Sequence, residues 1–151
     1  MTERSEFRGE NDLGVKDILG FVKVEHTLFS LPFVLIGFIL AQHQFGFHLS
    51  DIVWVLLAAV GARGLAMALN RIIDRDIDAE NPRTANRHLP SKSMSMQTAW
   101  LLSAVFLTML LAGAWMLNEV ALRMAWLPVL VFVIYPDTKR FTSLCHLWLG
   151  L

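Results

Sequence analysis

Residues 93–118 read SMSMQTAWLLSAVFLTMLLAGAWMLN, more than 20 consecutive positions without an Asp, Glu, Lys or Arg. A helix needs roughly 20 mostly apolar residues to cross the hydrocarbon of a bilayer, so this stretch alone is long enough to span one. Working outward, Thr27–Ser50 is also free of formal charge, and Ile52–Leu69 (IVWVLLAAVGARGLAMAL) is interrupted only by Arg63. After Arg123, MAWLPVLVFVIY is apolar as far as Tyr135. The pattern predicts spans near 27–44, 52–70, 97–117 and 119–136, with a fifth apolar segment starting at Cys145. The expected fold class is all-α, a polytopic transmembrane helix bundle of about four spans plus the start of a fifth.

Composition agrees. Of 151 residues, 55% are apolar and 17% charged, against roughly 45–50% and about 25% in average soluble domains. Such a chain is too apolar for intrinsic disorder. Thirteen basic residues balance thirteen acidic ones, which argues against a nucleic-acid partner. The single cysteine, Cys145, excludes an internal disulfide framework and a multi-thiolate zinc site. The mixed-charge first 24 residues and the long first apolar run do not fit a secretory signal peptide.

The basic residues set an orientation. The amino-terminal arm (1–23) holds Arg4, Arg8, Lys16 and Lys23; the second loop holds Arg71, Arg75, Arg83, Arg87 and Lys92; the fourth holds Lys139 and Arg140. In a four-span arrangement these lie on one side. The first loop, QHQFGFHLSD, has none. The positive-inside rule places the arm and the second loop in the cytoplasm, and a bacterial or archaeal plasma membrane is the expected location.

That second loop (70–96) is the long connection, and residues 68–93 read ALNRIIDRDIDAENPRTANRHLPSKS. Asn70, Asp74 and Asp78 recur every four residues, which puts all three on one helix face, with Arg63 two turns back on the same stripe. Two carboxylates separated by about 6 Å along an axis can flank Mg²⁺ when a ligand supplies further oxygens, because Mg²⁺ takes one or two carboxylates plus waters and phosphates. Arginine suits phosphate oxygens by its fork geometry, and an ionisable residue inside a span is a functional candidate by default. The physical reading is a Mg²⁺–diphosphate site at the cytoplasmic mouth of a bundle. Arg75, Asp76, Glu80 and Lys92 read instead as solvated headgroup anchors. Glu25 and His26 are either a helix-entry pair or part of an acceptor pocket. Pro32 is a candidate kink in the first span.

The longer string NRIIDRDIDAENPRTANRHLP resembles the first aspartate-rich motif of the UbiA superfamily of intramembrane prenyltransferases: an Asn, then DxxxD, an Arg-Thr and a downstream Arg. The matching positions are Asn70, Asp74, Asp78, Arg83, Thr84 and Arg87, with Leu89-Pro90 behind them. YPDTKRFTSLCHLWLGL resembles the family's Tyr-x-x-x-Lys-Arg segment through Tyr135, Lys139, Arg140 and Thr142. VKVEHTLFSLPFVLIG resembles its first helix. Within the family, NPRTANR is most similar to 4-hydroxybenzoate polyprenyltransferases.

The resemblance implies transfer of a polyprenyl group from a polyprenyl diphosphate to an aromatic acceptor such as 4-hydroxybenzoate, in quinone biosynthesis. It implies Mg²⁺ as cofactor and the lipid bilayer as environment. Asp74 and Asp78 would be catalytic metal ligands assisted by Asn70. Arg63, Lys139 and Arg140 would neutralise the diphosphate, with Arg83 and Arg87 as further diphosphate or loop-ordering contacts. Arg71 stands where the family often has an acid, and no metal role is carried onto it. Family members are longer and have a second aspartate-rich motif, whereas Glu80, Glu119 and Asp137 are the only acids after Asp78. The chain therefore reads as the amino-terminal portion (1–151) of one UbiA-like domain. It is expected to be unstable or inactive alone unless it dimerises or a second chain supplies the other half.

Three alternatives remain at this stage. One is a related UbiA-type enzyme (ether-lipid, haem O or chlorophyll synthase). Another is a non-catalytic membrane fragment or partner subunit, which would leave the Arg63–Asn70–Asp74–Asp78 face unexplained. The third is a CDP-alcohol phosphatidyltransferase, whose Asp-Gly and Ala-Arg pattern is not found in IIDRDIDAENPRT.

Overall fold

The computed structural model describes residues 15–45 and 48–141. Every regular element among them is helical: α1 (Val15–Val22), α2 (Val24–Phe45), α3 (Leu49–Ile73), α4 (Arg75–Glu80), α5 (Met96–Leu117), α6 (Glu119–Met124) and α7 (Trp126–Phe141). Ser50–Ile73, Met96–Leu117 and Glu119–Pro136 are long and apolar enough to cross a bilayer, close to the expected second, third and fourth spans. The expected first span lies within α2, whose described apolar stretch, Phe29–Ala41, is shorter. The chain is a helical membrane protein. The segment from Cys145 lies outside the described residues.

The breaks have local causes. Lys23 has φ 46°, a left-handed backbone that interrupts the helix and separates α1 from α2. Pro32 leaves α2 continuous, as membrane helices tolerate when neighbours re-satisfy the freed backbone. Asn118, with φ −173° and ψ 168°, ends α5 and caps α6, its side chain accepting from the Ala121 N–H at 2.7 Å. Ser95 caps α5 by accepting from the Thr98 N–H at 3.1 Å. These caps satisfy amide donors that helix starts leave orphaned. Pro128 lacks the N–H that would bond back to Met124, which accounts for the step between α6 and α7. Inside α5 the buried Ser103 satisfies its hydroxyl on Ala99 O at 2.9 Å.

The bundle is organised by α3, which packs mainly on α5, then on α7, and less extensively on α2 and α1. The α3–α5 approach depends on glycine. A Cβ on Gly61 would meet the Leu110 backbone N at 2.5 Å and Phe106 O at 2.8 Å. A Cβ on Gly113 would meet Trp54 O at 2.7 Å and Ala58 N at 2.8 Å. Bare backbones on both helices let them touch, the packing that replaces hydrophobic drive between helices in lipid. One apolar cluster joins Leu65 and Leu69 of α3 to Leu110 of α5, with Val129 and Phe132 of α7 against it. A second lies nearer the end of α3 and joins Phe21 and Val22 of α1 to Ala68, Leu89, Met94 and Ala99. On the outer surfaces Phe29, Phe33, Trp115 and Val120 are each more than two-thirds exposed, which suits a chain surrounded by hydrocarbon.

Gly61→Ala and Gly113→Ala force backbone against backbone and are expected to destabilise the bundle by about 1–3 kcal/mol each. Gly37→Ala, where nothing lies within 4 Å, is expected to be neutral or slightly stabilising because alanine is the better helix former. Unfolding in detergent followed by circular dichroism checks the contrast; equal effects at Gly37 and Gly61 would contradict it.

Candidate functional site

The sequence places Asn70, Asp74 and Asp78 on one helix face, and the structure divides that path between two helices. Asp74 has φ −86° and ψ 3° and divides α3 from α4. This is the sparsely populated bridge region, where functional residues often sit. The helical bonding nevertheless passes through the break. The Asp74 N–H donates to Asn70 O at 3.0 Å and the Asp78 N–H to Asp74 O at 2.8 Å. The three residues keep their one-turn stacking while α4 meets the loop that follows.

That loop is built around Asp78. Its backbone carbonyl accepts the Thr84 hydroxyl at 3.0 Å. Its carboxylate Oδ2 accepts from Arg87 Nη1 at 2.7 Å, a short charge-assisted bond. The Asp78 side chain is 10% exposed and that of Arg87 34%. Asp74 is more enclosed still: taken as whole residues, Asp74 is 2% exposed and Asp78 7%. Carboxylates this buried are costly unless they are paired or coordinated.

Two polar atoms on the predicted stripe are buried without a hydrogen-bond partner: Arg63 Nε and Asn70 Oδ1. Each such atom costs about 1–3 kcal/mol and calls for an explanation in a folded protein. Asn70 Oδ1 is a hard oxygen one turn from the Asp74 carboxylate, so the Asn-Asp-Asp donor set fits Mg²⁺ chemistry. No group of three or more His, Cys, Asp or Glu among the described residues is placed to hold a metal. A cation held here would therefore draw further oxygens from a ligand.

The other sequence candidates separate. Arg83 is exposed and serves the turn through its N–H, which donates to Asn81 Oδ1 at 3.0 Å. Lys139 and Arg140 fall in the last turn of α7, and their side chains, like those of Glu25 and His26, lie outside the described residues; so does Thr142. Arg75 pairs with Asp76 at 3.0 Å, both exposed, and Glu80 and Lys92 are exposed as well.

Sequence reasoning missed a second cluster. Arg71 is only 5% exposed. Its Nη1 lies 3.2 Å from His88 Nδ1 and its Nη2 donates to Gly20 O at 3.4 Å. Its guanidinium sits 5.1 Å from the centre of the Phe21 ring, and Phe21 meets His88 edge-on. Because arginine only donates, Nδ1 of His88 accepts and the ring proton sits on Nε2. Arg71 thus ties α1 to the aspartate-rich loop. The available signal was its phase: one residue after Asn70, it points about 100° away from the Asn70 stripe, toward a different neighbour.

Residues 30–151 match the family model described as the UbiA prenyltransferase family. The chain belongs to that family. UbiA relatives include a 4-hydroxybenzoate octaprenyltransferase of Coxiella burnetii (strain CbuK_Q154), 34% identical over 96 residues, covering 64% of this chain and 33% of that protein. That of Shewanella sediminis is 31% identical, covering 64% and 34%. The chain spans about a third of the length of these curated relatives. The apo structure of a UbiA homolog from Aeropyrum pernix K1 superposes with a TM-score of 0.77 at 42% identity, over 83% of this chain and 45% of that one.

Arg71→Ala is expected to release α1 from the loop. The part-buried charged hydrogen bonds it removes are worth at most about 1.5–3 kcal/mol each, and amide hydrogen exchange at residues 18–22 should rise well beyond any change in α5. Unchanged exchange at residues 18–22 would mean that the apolar contacts of Phe21 and Val22 hold α1 without Arg71.

Proposed function

We propose that the chain carries the first aspartate-rich half-site of a prenyltransferase that moves a polyprenyl group from a polyprenyl diphosphate to an aromatic acceptor such as 4-hydroxybenzoate, in quinone biosynthesis. The observation that carries this reading is the run Asn70–Asp74–Asp78, two buried carboxylates and an orphaned amide oxygen on one helical path. It sits in a chain of this family whose relatives above are 4-hydroxybenzoate octaprenyltransferases.

In this reading Asn70 Oδ1 and the Asp74 and Asp78 carboxylates would hold Mg²⁺, which when bound would supply positive charge to the diphosphate. The allylic C–O bond breaks and the electron pair leaves with the diphosphate. The ring carbon of the acceptor attacks the resulting carbocation and then loses its proton. Arg63, Lys139 and Arg140 neutralise charge on the leaving group, the point at which preorganised cations contribute most. The apolar helices hold the prenyl tail and keep water from the cation. The arm and the aspartate-rich loop face the cytoplasm of a bacterial or archaeal cell, and a second chain or further segment supplies the second aspartate-rich motif.

The test is prenyl transfer by membranes containing the 151-residue chain, with Mg²⁺, a polyprenyl diphosphate and a panel of aromatic acceptors, repeated with a co-expressed carboxy-terminal half of a family member. Asp74→Ala and Asp78→Ala are each expected to cut transfer by about 100-fold or more. Transfer that survives both substitutions would refute the assignment of these carboxylates.

A further inference from the structure

Arg87 and a divalent cation need the same carboxylate. Arg87 Nη1 bonds Asp78 Oδ2 at 2.7 Å, with the carboxylate nearly enclosed. Arg71, itself buried, adds a second guanidinium to the same cap through His88 and the Gly20 carbonyl. The cap that holds this carboxylate thus contains two guanidiniums, one of them bonded to it. A doubly charged cation entering by itself would add positive charge to a region already supplied with it, in a setting where burial weakens screening. An anion that arrives with the cation reverses this balance. Arg87 is placed to follow it, since its side chain is more open to solvent than that of Asp78, and a guanidinium binds phosphate oxygens as readily as carboxylate.

We infer that Arg87 is an exchangeable counter-ion of Asp78: it competes with the divalent cation for this carboxylate, and diphosphate relieves the competition by taking Arg87 for itself. This rests on the metal–diphosphate reading of Asn70, Asp74 and Asp78. Metal and diphosphate binding are then positively coupled, and by linkage each tightens the other by the same factor. Thr84, anchored on the Asp78 carbonyl at 3.0 Å, holds the loop while the guanidinium changes partners.

The test uses the full chain in lipid nanodiscs, with Mn²⁺ as the cation and inorganic pyrophosphate as the anion. Free Mn²⁺ is read by electron paramagnetic resonance, and no turnover is needed. If the ion pair is formed nine-tenths of the time, Arg87→Gln should tighten binding of Mn²⁺ alone by about tenfold. It should also weaken pyrophosphate binding and shrink the coupling between the two. Asp78→Asn in the Arg87→Gln background should abolish the gain. Arg87→Lys keeps a cation but not the planar fork, and should give a smaller change in the same direction; it carries the test if the Gln variant loses helicity by circular dichroism. Mn²⁺ binding that is pyrophosphate-dependent in the native chain yet unchanged or weaker in the Arg87 variants would overturn the exchange, leaving Arg87 as a support that orients Asp78. No Mn²⁺ binding in any variant, with or without pyrophosphate, would overturn both the exchange and the site reading beneath it.

Discussion

The bundle depends on two places where the backbones of α3 and α5 meet without side chains between them. Gly61 lies against the main chain of α5 near Leu110, and Gly113 against that of α3 near Trp54 and Ala58. In hydrocarbon there is little hydrophobic gain from bringing two apolar helices together, so close van der Waals fit carries the association. With that distance set, Leu65, Leu69 and Leu110 interdigitate, and α7 closes over them through Val129 and Phe132. The carboxyl end of α3 is then held at a fixed place, and that end carries Asn70 and Asp74.

From this frame the polar chemistry is stacked toward one end. Arg63 lies within a span, Asn70 in its last turn, Asp74 at the break and Asp78 in the short helix beyond. Each step moves away from the span interior into a loop that folds back on itself. The loop closes with side-chain bonds to backbone, Thr84 to Asp78 O and Ser93 to His88 O at 3.2 Å. Its apolar members Leu89 and Met94 join the cluster with Phe21 and Ala99. Two arginines hold this cap from different sides: Arg87 through the carboxylate of Asp78, and Arg71 through His88 and the carbonyl of Gly20. The cap is secured by ion pairs and hydrogen bonds between side chains and loop, whereas the α3–α5 seam beneath it is set by backbone against backbone.

The spans and the stripe were legible because both rest on short-range rules. Long uncharged runs have one economical solution in lipid, a helix that satisfies its own backbone, and a four-residue spacing stacks side chains wherever a helix forms. Less legible was what met the charged residues. Arg83 and Arg87 sit four apart in the same motif, yet Arg87 reaches Asp78 while Arg83 is exposed, because the turn at Asn81 uses the N–H of Arg83 and leaves its side chain outside. Arg71 looked like a departure from the motif and proved to be the clamp on α1. Its partners, Gly20 and His88, are 51 and 17 residues away, and no local pattern links them.

By itself the sequence determined an all-helical membrane chain, the approximate limits of its spans, and a face of Asn and Asp at the end of the second span. Hydrocarbon length and helical periodicity leave little freedom in those matters. Tertiary structure decided which charges are paired and which polar atoms are left without partners. It ties Asp78 to Arg87 and Arg71 to α1, and it leaves Asn70 Oδ1 and Arg63 Nε unsatisfied. The reason is that pairing depends on the path of a folded loop and on the glycine-set distance between helices, and both arise only when residues far apart in the chain have been packed together.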